Sequence, residues 1–102
     1  MADTITITRE SKPALDEIAN LLKSRPDLKL FVVGHTDLTG NLQRNVRLSQ
    51  GRAESVVNAL VEDYGIARER LEPHGVGPLS PVAENTSEPG RARNRRVELV
   101  KR

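Results

Sequence analysis

A run of β-branched and aromatic residues, Lys29 to Val33, stops at Gly34 and is flanked on both sides by stretches of helical periodicity. A short apolar run in that setting reads as a central strand buried on both faces, and its neighbours must then be the elements that cover it. Upstream, Ser11 precedes Pro13, and Leu15, Ile18, Ala19 and Leu22 recur at helical spacing until Pro26. This predicts a short amphipathic helix that Pro26 ends. Before it, Thr and Ile alternate from Thr4 to Thr8, the period of a half-buried edge strand with Ile5 and Ile7 facing inward. Strand, helix, strand in that order favours a parallel pair.

Downstream of Gly40 a second helix is predicted to start within a few residues and to run to about Tyr64, with Leu48, Ala53, Val56, Val57 and Leu60 as its core stripe and Gly65 as its C-cap. A third, short strand follows near Leu71 to Val76, where Pro73 limits pairing to an edge or an irregular position. Residues 77–90 hold three prolines, two glycines, two serines and Asn85, the composition of a loop of functional length. A short helical turn is placed at Gly90 to Arg95, and Arg96 to Lys101 closes the chain as a strand with Val97 and Leu99 on one face and Glu98 on the other. The whole, residues 1–102, is the size of one domain.

Composition removes several function classes. With 36% hydrophobic and 29% charged residues the chain is a folding sequence, outside the pattern of disorder. Phe31 and Tyr64 are its only aromatic residues, so stacking platforms for bases are scarce. The absence of cysteine removes disulfides, thiolate metal sites and a Cys nucleophile. No apolar stretch approaches the roughly 18 residues that span a bilayer, so this domain is not expected to contact the membrane itself. Net charge is only +2, yet residues 88–102 carry six Lys/Arg against two Glu, which makes the basic character a C-terminal feature.

Asp37 follows the central strand in Gly34-His35-Thr36-Asp37, at the strand end where open α/β sheets gather ligands; the alternative is a turn or capping Asp. On the second helix Asn45 and Arg52 are seven residues apart and so share a face, separated by about 10 Å of rise. Helical side chains lean toward the N-terminus, so Arg52 can reach back toward the loop of Asp37. Either the two flank one cavity or they form an ordinary salt bridge, and at this level both remain open.

The blocks "GHTDLTGNLQRNVRLSQGRAESVVNAL" and "GRARNRRVELV", in that order, make the chain resemble OmpA-like domains, the group that includes the peptidoglycan-associated lipoprotein and the wall-anchoring part of flagellar stator proteins. The likeness covers nearly the whole chain and is densest over residues 31 to 100. It implies an α/β fold, an α+β sandwich of order βαβαβ-(short α)-β. The mixed sheet has four strands with helices packed on one face, the first and second strands parallel and the last antiparallel between them. It also implies non-covalent binding of peptidoglycan through the diaminopimelate residue of the stem peptide, Asp37 taking the ammonium and Arg52 the carboxylate. Thr36, Asn45 and Leu48 map to pocket-lining positions, and Asn94 and Arg95 to the block that closes against the pocket. Arg91, Arg93 and Arg96 are read as surface charges. Relatives carry an aromatic residue where this chain has Arg44, which makes that wall more polar, and their first strand is richer in Phe. The implied setting is the periplasm, with attachment to the outer membrane or cell envelope through a longer, membrane-anchored parent sequence, in an oligomeric state the sequence leaves open.

Other readings carry less. His35 and His74 with Asp37 make a weak metal pattern, so no metal or other cofactor is expected. There is no Gly-x-Ser-x-Gly elbow, and Ser49 falls within a helix, so the chain is read as a non-enzyme. The runner-up is a nucleic-acid or polyanion binder using "GRARNRRVELVKR", although no nucleic-acid partner is expected.

Overall fold

The computed structural model describes residues 4–102, so residues 1–3 of the expected domain lie outside the described residues. Its elements are β1 (Thr4–Ile7), α1 (Lys12–Ser24), β2 (Leu30–His35), α2 (Leu42–Tyr64), β3 (Leu71–Gly75), α3 (Glu88–Asn94) and β4 (Arg96–Lys101), with a single 3₁₀ turn at Arg68–Arg70 before β3. They build an α/β fold around a mixed four-stranded sheet of order β1-β4-β2-β3. β4 lies antiparallel between β1 and β2, while β2 and β3 form a parallel pair joined through α2. β1 and β2 therefore run the same way with the last strand between them, both as the resemblance implied. Pro73 is accommodated because β3 is an edge.

Local chemistry sets the helix ends. The Ser11 hydroxyl accepts from the Ala14 amide at 3.4 Å to start α1, and Asn41 Oδ1 accepts from the Arg44 amide at 3.0 Å to start α2. Gly65, at φ 71°, ends α2 in the left-handed conformation. The last turn of α1 is tied down from a distance: Arg70 donates to the carbonyls of Leu22 at 2.8 Å, Arg25 at 2.7 Å and Leu28 at 3.0 Å.

One face of the sheet meets α1 and α2 through Ile7, Leu30, Val32, Leu71, Val97 and Leu99, against Ile18, Ala19, Leu22, Ala53, Val56, Val57 and Leu60. Three expectations about apolar burial need correction. Ile5 pairs with Leu99 and so shares the helix face, yet it is 38% exposed because it lies on the edge strand β1. Leu48 is 54% exposed and does not belong to the core stripe of α2. The central strand is buried fully on one face only, for Phe31 and Val33 on the other are half-buried.

That second face is polar. His35 Nε2 donates to Glu98 Oε1 at 3.1 Å, and Arg96 Nε donates to Glu98 Oε2 at 2.9 Å. Arg96 also donates to the carbonyls of Asn94 at 3.2 Å and Ser80 at 2.9 Å. At 2% exposure Arg96 is not the surface charge expected of it; the glutamate and two carbonyls replace its hydration. Burial, then the nearby Arg96 charge, push the His35 pKa down against the opposing pull of Glu98.

Candidate functional site

The close seating of α2 on the strand ends fixes the relation between Asp37 and Arg52. A Cβ on Gly34 would lie 2.1 Å from the Ser49 carbonyl oxygen, and one on Gly75 would lie 2.2 Å from the Gln50 amide nitrogen. Only glycine lets a helix backbone come so near two strands. Ser49, 1% exposed, fastens the contact by accepting from the Gly77 amide at 2.9 Å and donating to the Val46 carbonyl at 2.8 Å. Asn45 and Arg52 lie on either side of this anchor, while Thr36 and Asp37 follow directly from β2.

Asp37 is 7% exposed. Its Oδ1 accepts from the Thr39 amide at 2.8 Å and its Oδ2 from Arg95 Nη1 at 2.5 Å. Burial alone pushes its pKa up, but the Thr39 amide and the Arg95 guanidinium outweigh it and hold the carboxyl below its ordinary value. The surrounding loop is braced twice. Asn45 Nδ2 donates to the Thr39 carbonyl at 2.9 Å, and the Thr36 hydroxyl donates to the Asp37 carbonyl at 2.9 Å. Arg95 is shared, since its Nη2 donates to Glu88 Oε2 at 2.5 Å.

Arg52 does not pair with Asp37. Its Nε donates to Glu10 in the β1–α1 connection, and its Nη2 donates to the Thr8 carbonyl at 3.0 Å. It nonetheless shares a cavity with the partner of Asp37: a cleft of about 440 Å³ is lined by Thr8, Arg52, Ala92, Arg93 and Arg95. The geometry is neither of the two arrangements the spacing left open: Asp37 does not line the cleft that Arg52 lines, and the two are linked only through Arg95, which lines the cleft and pairs with Asp37.

Asn94, fully buried, organises the loop before α3. Its Oδ1 accepts from the amides of Val82 at 2.8 Å and Ala83 at 3.0 Å, and its Nδ2 donates to the Ala83 carbonyl and to Asn85 Oδ1, both at 2.9 Å. Asn85 Oδ1 in turn accepts from the Leu38 amide at 3.2 Å, next to Asp37. Among the residues singled out from sequence, the structure thus joins Asp37 to Arg95, Asn45 to the loop of Asp37, and Arg52 to the cavity of Arg95. Leu48 projects to solvent. Arg93, read as a surface charge, is exposed. Glu10, Thr8, Asn85 and Glu88 enter these contacts without having been singled out; Glu10 and Arg52 are 42 residues apart, and no local pattern links them. His35 and His74, weighed as metal ligands with Asp37, hydrogen-bond to two different glutamates, Glu98 and Glu72.

The basic C-terminus is largely compensated. Arg91 and Arg95 pair with Glu88, Arg95 also with Asp37, Arg96 with Glu98 and Arg102 with Glu72. Among the described residues of this segment only Arg93 and Lys101 lack an acidic partner, a thin footprint for a polyanion. No described helix is long and apolar enough to cross a membrane.

A model described as the OmpA family matches residues 1–95. The chain is 41% identical over 107 residues to the probable lipoprotein YiaD of Escherichia coli, an alignment covering 98% of this chain and 48% of that protein. It is 41% identical over 86 residues to the peptidoglycan-binding protein ArfA of Mycobacterium tuberculosis, covering 84% of this chain and 26% of that protein. The solved structure of the peptidoglycan-associated lipoprotein from Burkholderia pseudomallei matches with a TM-score of 0.84 at 30% identity, over 99% of this chain and 91% of the other. The chain spans about half or less of these curated relatives.

Proposed function

The chain belongs to the OmpA family, and on that premise we propose that it binds peptidoglycan non-covalently through the diaminopimelate residue of the stem peptide, anchoring a longer envelope protein to the cell wall in the periplasm. The observation that carries this reading is a charge-matched pair of seats. Asp37 is a fixed carboxylate now satisfied by a cation, Arg95, and Arg52 is a guanidinium now satisfied by an anion, Glu10. Diaminopimelate presents an ammonium and a carboxylate on one carbon. Its entry exchanges one zwitterionic set of contacts for another: the ligand carboxylate replaces Glu10 on the planar fork of Arg52, and the ammonium joins or replaces Arg95 at Asp37.

Exchange keeps every buried charge compensated, which is why the site tolerates both states. It also limits the gain. Each hydrogen bond to a charged group contributes about 1.5–3 kcal/mol, but the internal partners must be given up, so monovalent affinity is on the order of micromolar or weaker. A polymeric wall offers many copies, and a tethered parent protein engages several together. The reading is of a binder without catalysis: the Ser49 hydroxyl is committed to Val46 and Gly77.

Co-sedimentation with purified sacculi tests the proposal. Wild type pellets with the wall, whereas Asp37→Ala and Arg52→Ala, each checked for folding by circular dichroism, remain in the supernatant. Folded variants that pellet like wild type would sink the site assignment, and released muropeptides in the supernatant would sink the non-catalytic reading.

A further inference from the structure

Three guanidiniums line the cleft, Arg52, Arg93 and Arg95. Arg52 pairs with Glu10, and Arg95 with Asp37 and Glu88, whereas Arg93 has no acidic partner among the described residues. A zwitterion that takes the places of Glu10 and Arg95 leaves Arg93 unmet. Arg93 is exposed on α3 and, together with Thr8, lines a second cleft of about 250 Å³ whose other walls are Thr6, Val82, Arg96 and Glu98. In that second cleft Arg96 is already neutralised by Glu98. Thr8 and Arg93 are therefore a saddle between two clefts, and among the described residues Arg93 is the one cation lining either cleft without an acidic partner.

Resting on the function proposed above, we propose that Arg93 is a second anion subsite. It takes another carboxylate of the same stem peptide as the peptide passes over Thr8 from the Arg52 cleft into the cleft beside Val82. The chemistry fixes the class of group, a free carboxylate, which is supplied either by the α-carboxylate of a γ-linked acidic residue or by the peptide's C-terminus. An amide at the same position lacks the charge, so the domain discriminates between free-acid and amidated peptides.

The test is titration calorimetry with free diaminopimelate, with a diaminopimelate-containing stem peptide bearing free carboxylates, and with that peptide amidated at one or the other carboxylate. Wild type is expected to bind the free-acid peptide about fivefold more tightly than one of the two amidated forms, a preference that shrinks with added salt and identifies the carboxylate used. Arg93→Gln is expected to lose this preference while binding free diaminopimelate as wild type does. Equal binding of all peptides by wild type, or a preference retained by Arg93→Gln, overturns the subsite alone. Wild type that binds neither diaminopimelate nor any peptide overturns the underlying function with it.

Discussion

The two halves of the site are built differently. The Asp37 half is buried and redundantly held: a backbone amide and Arg95 fix the carboxylate, Asn45 braces the Thr39 carbonyl, and Asn94 reaches the Leu38 amide through Asn85. In the Arg52 half, the side chains of Arg52 and Glu10 are 26% and 33% exposed, and Glu10 comes from the connection after an edge strand. On the function proposed above, the Asp37 half is organised before the ligand arrives and costs little to bind, whereas the Arg52 half exchanges an exposed partner for a new one, and exposed ion pairs are weak. Under that proposal rigidity at Asp37 sets the ligand's orientation and exchangeability at Arg52 allows its entry.

The comparison breaks most completely where both halves depend on one contact. Gly34→Ala puts a Cβ against the Ser49 carbonyl, so α2 must lift and carry Asn45 and Arg52 away from Asp37. Urea unfolding is expected to show a loss of about 3 kcal/mol or more, with sacculus binding falling in step. Asn94→Ala attacks the buried half alone. It leaves the Val82 and Ala83 amides and the Ala83 carbonyl without their partner, an expected cost of about 1–3 kcal/mol in the same melts, with Arg52 untouched.

Acid also separates the halves. Because the folded Asp37 pKa lies below its ordinary 3.8, the stabilisation it contributes is complete above that value and is lost as pH falls through the lower, folded value. Urea melts from neutral pH down to about pH 2 should therefore show a steeper decline below 3.8 for wild type than for Asp37→Asn; parallel declines would mean that Asp37 is not held as described. The smallest effect sharpens the comparison. Glu10→Gln weakens the internal competitor for Arg52, and diaminopimelate binding is expected to tighten about twofold to fivefold by calorimetry, whereas weaker binding would show that Glu10 positions Arg52 for its ligand.

Much of the fold was legible because its signals are local. Ser11 and Gly65 act where helix-capping chemistry put them, and Pro73 sits on the edge strand it requires. Leu48 misled because it is apolar: at 100° per residue it points about 130° away from the mean direction of Ala53, Val56, Val57 and Leu60, so helical spacing itself turns it outward. Arg96 misled in the opposite direction: a charge in a basic run reads as solvated unless its partners are known, and those partners are Glu98 and the carbonyls of Asn94 and Ser80. Arg95 was named from the closing block, but its place between Asp37 and Glu88 has no local cue.

The sequence by itself determined the elements, their order and the two charged groups, Asp37 at a strand end and Arg52 on a helix face, because periodicity, capping and spacing act within a few residues of chain. Only the tertiary structure decided what those charges touch. Pairing depends on which segments the sheet order and the glycine-sized gap under α2 bring together, and that is how Glu10 came to Arg52, Arg95 to Asp37, and Arg93 to stand between two clefts with no acidic partner among the described residues.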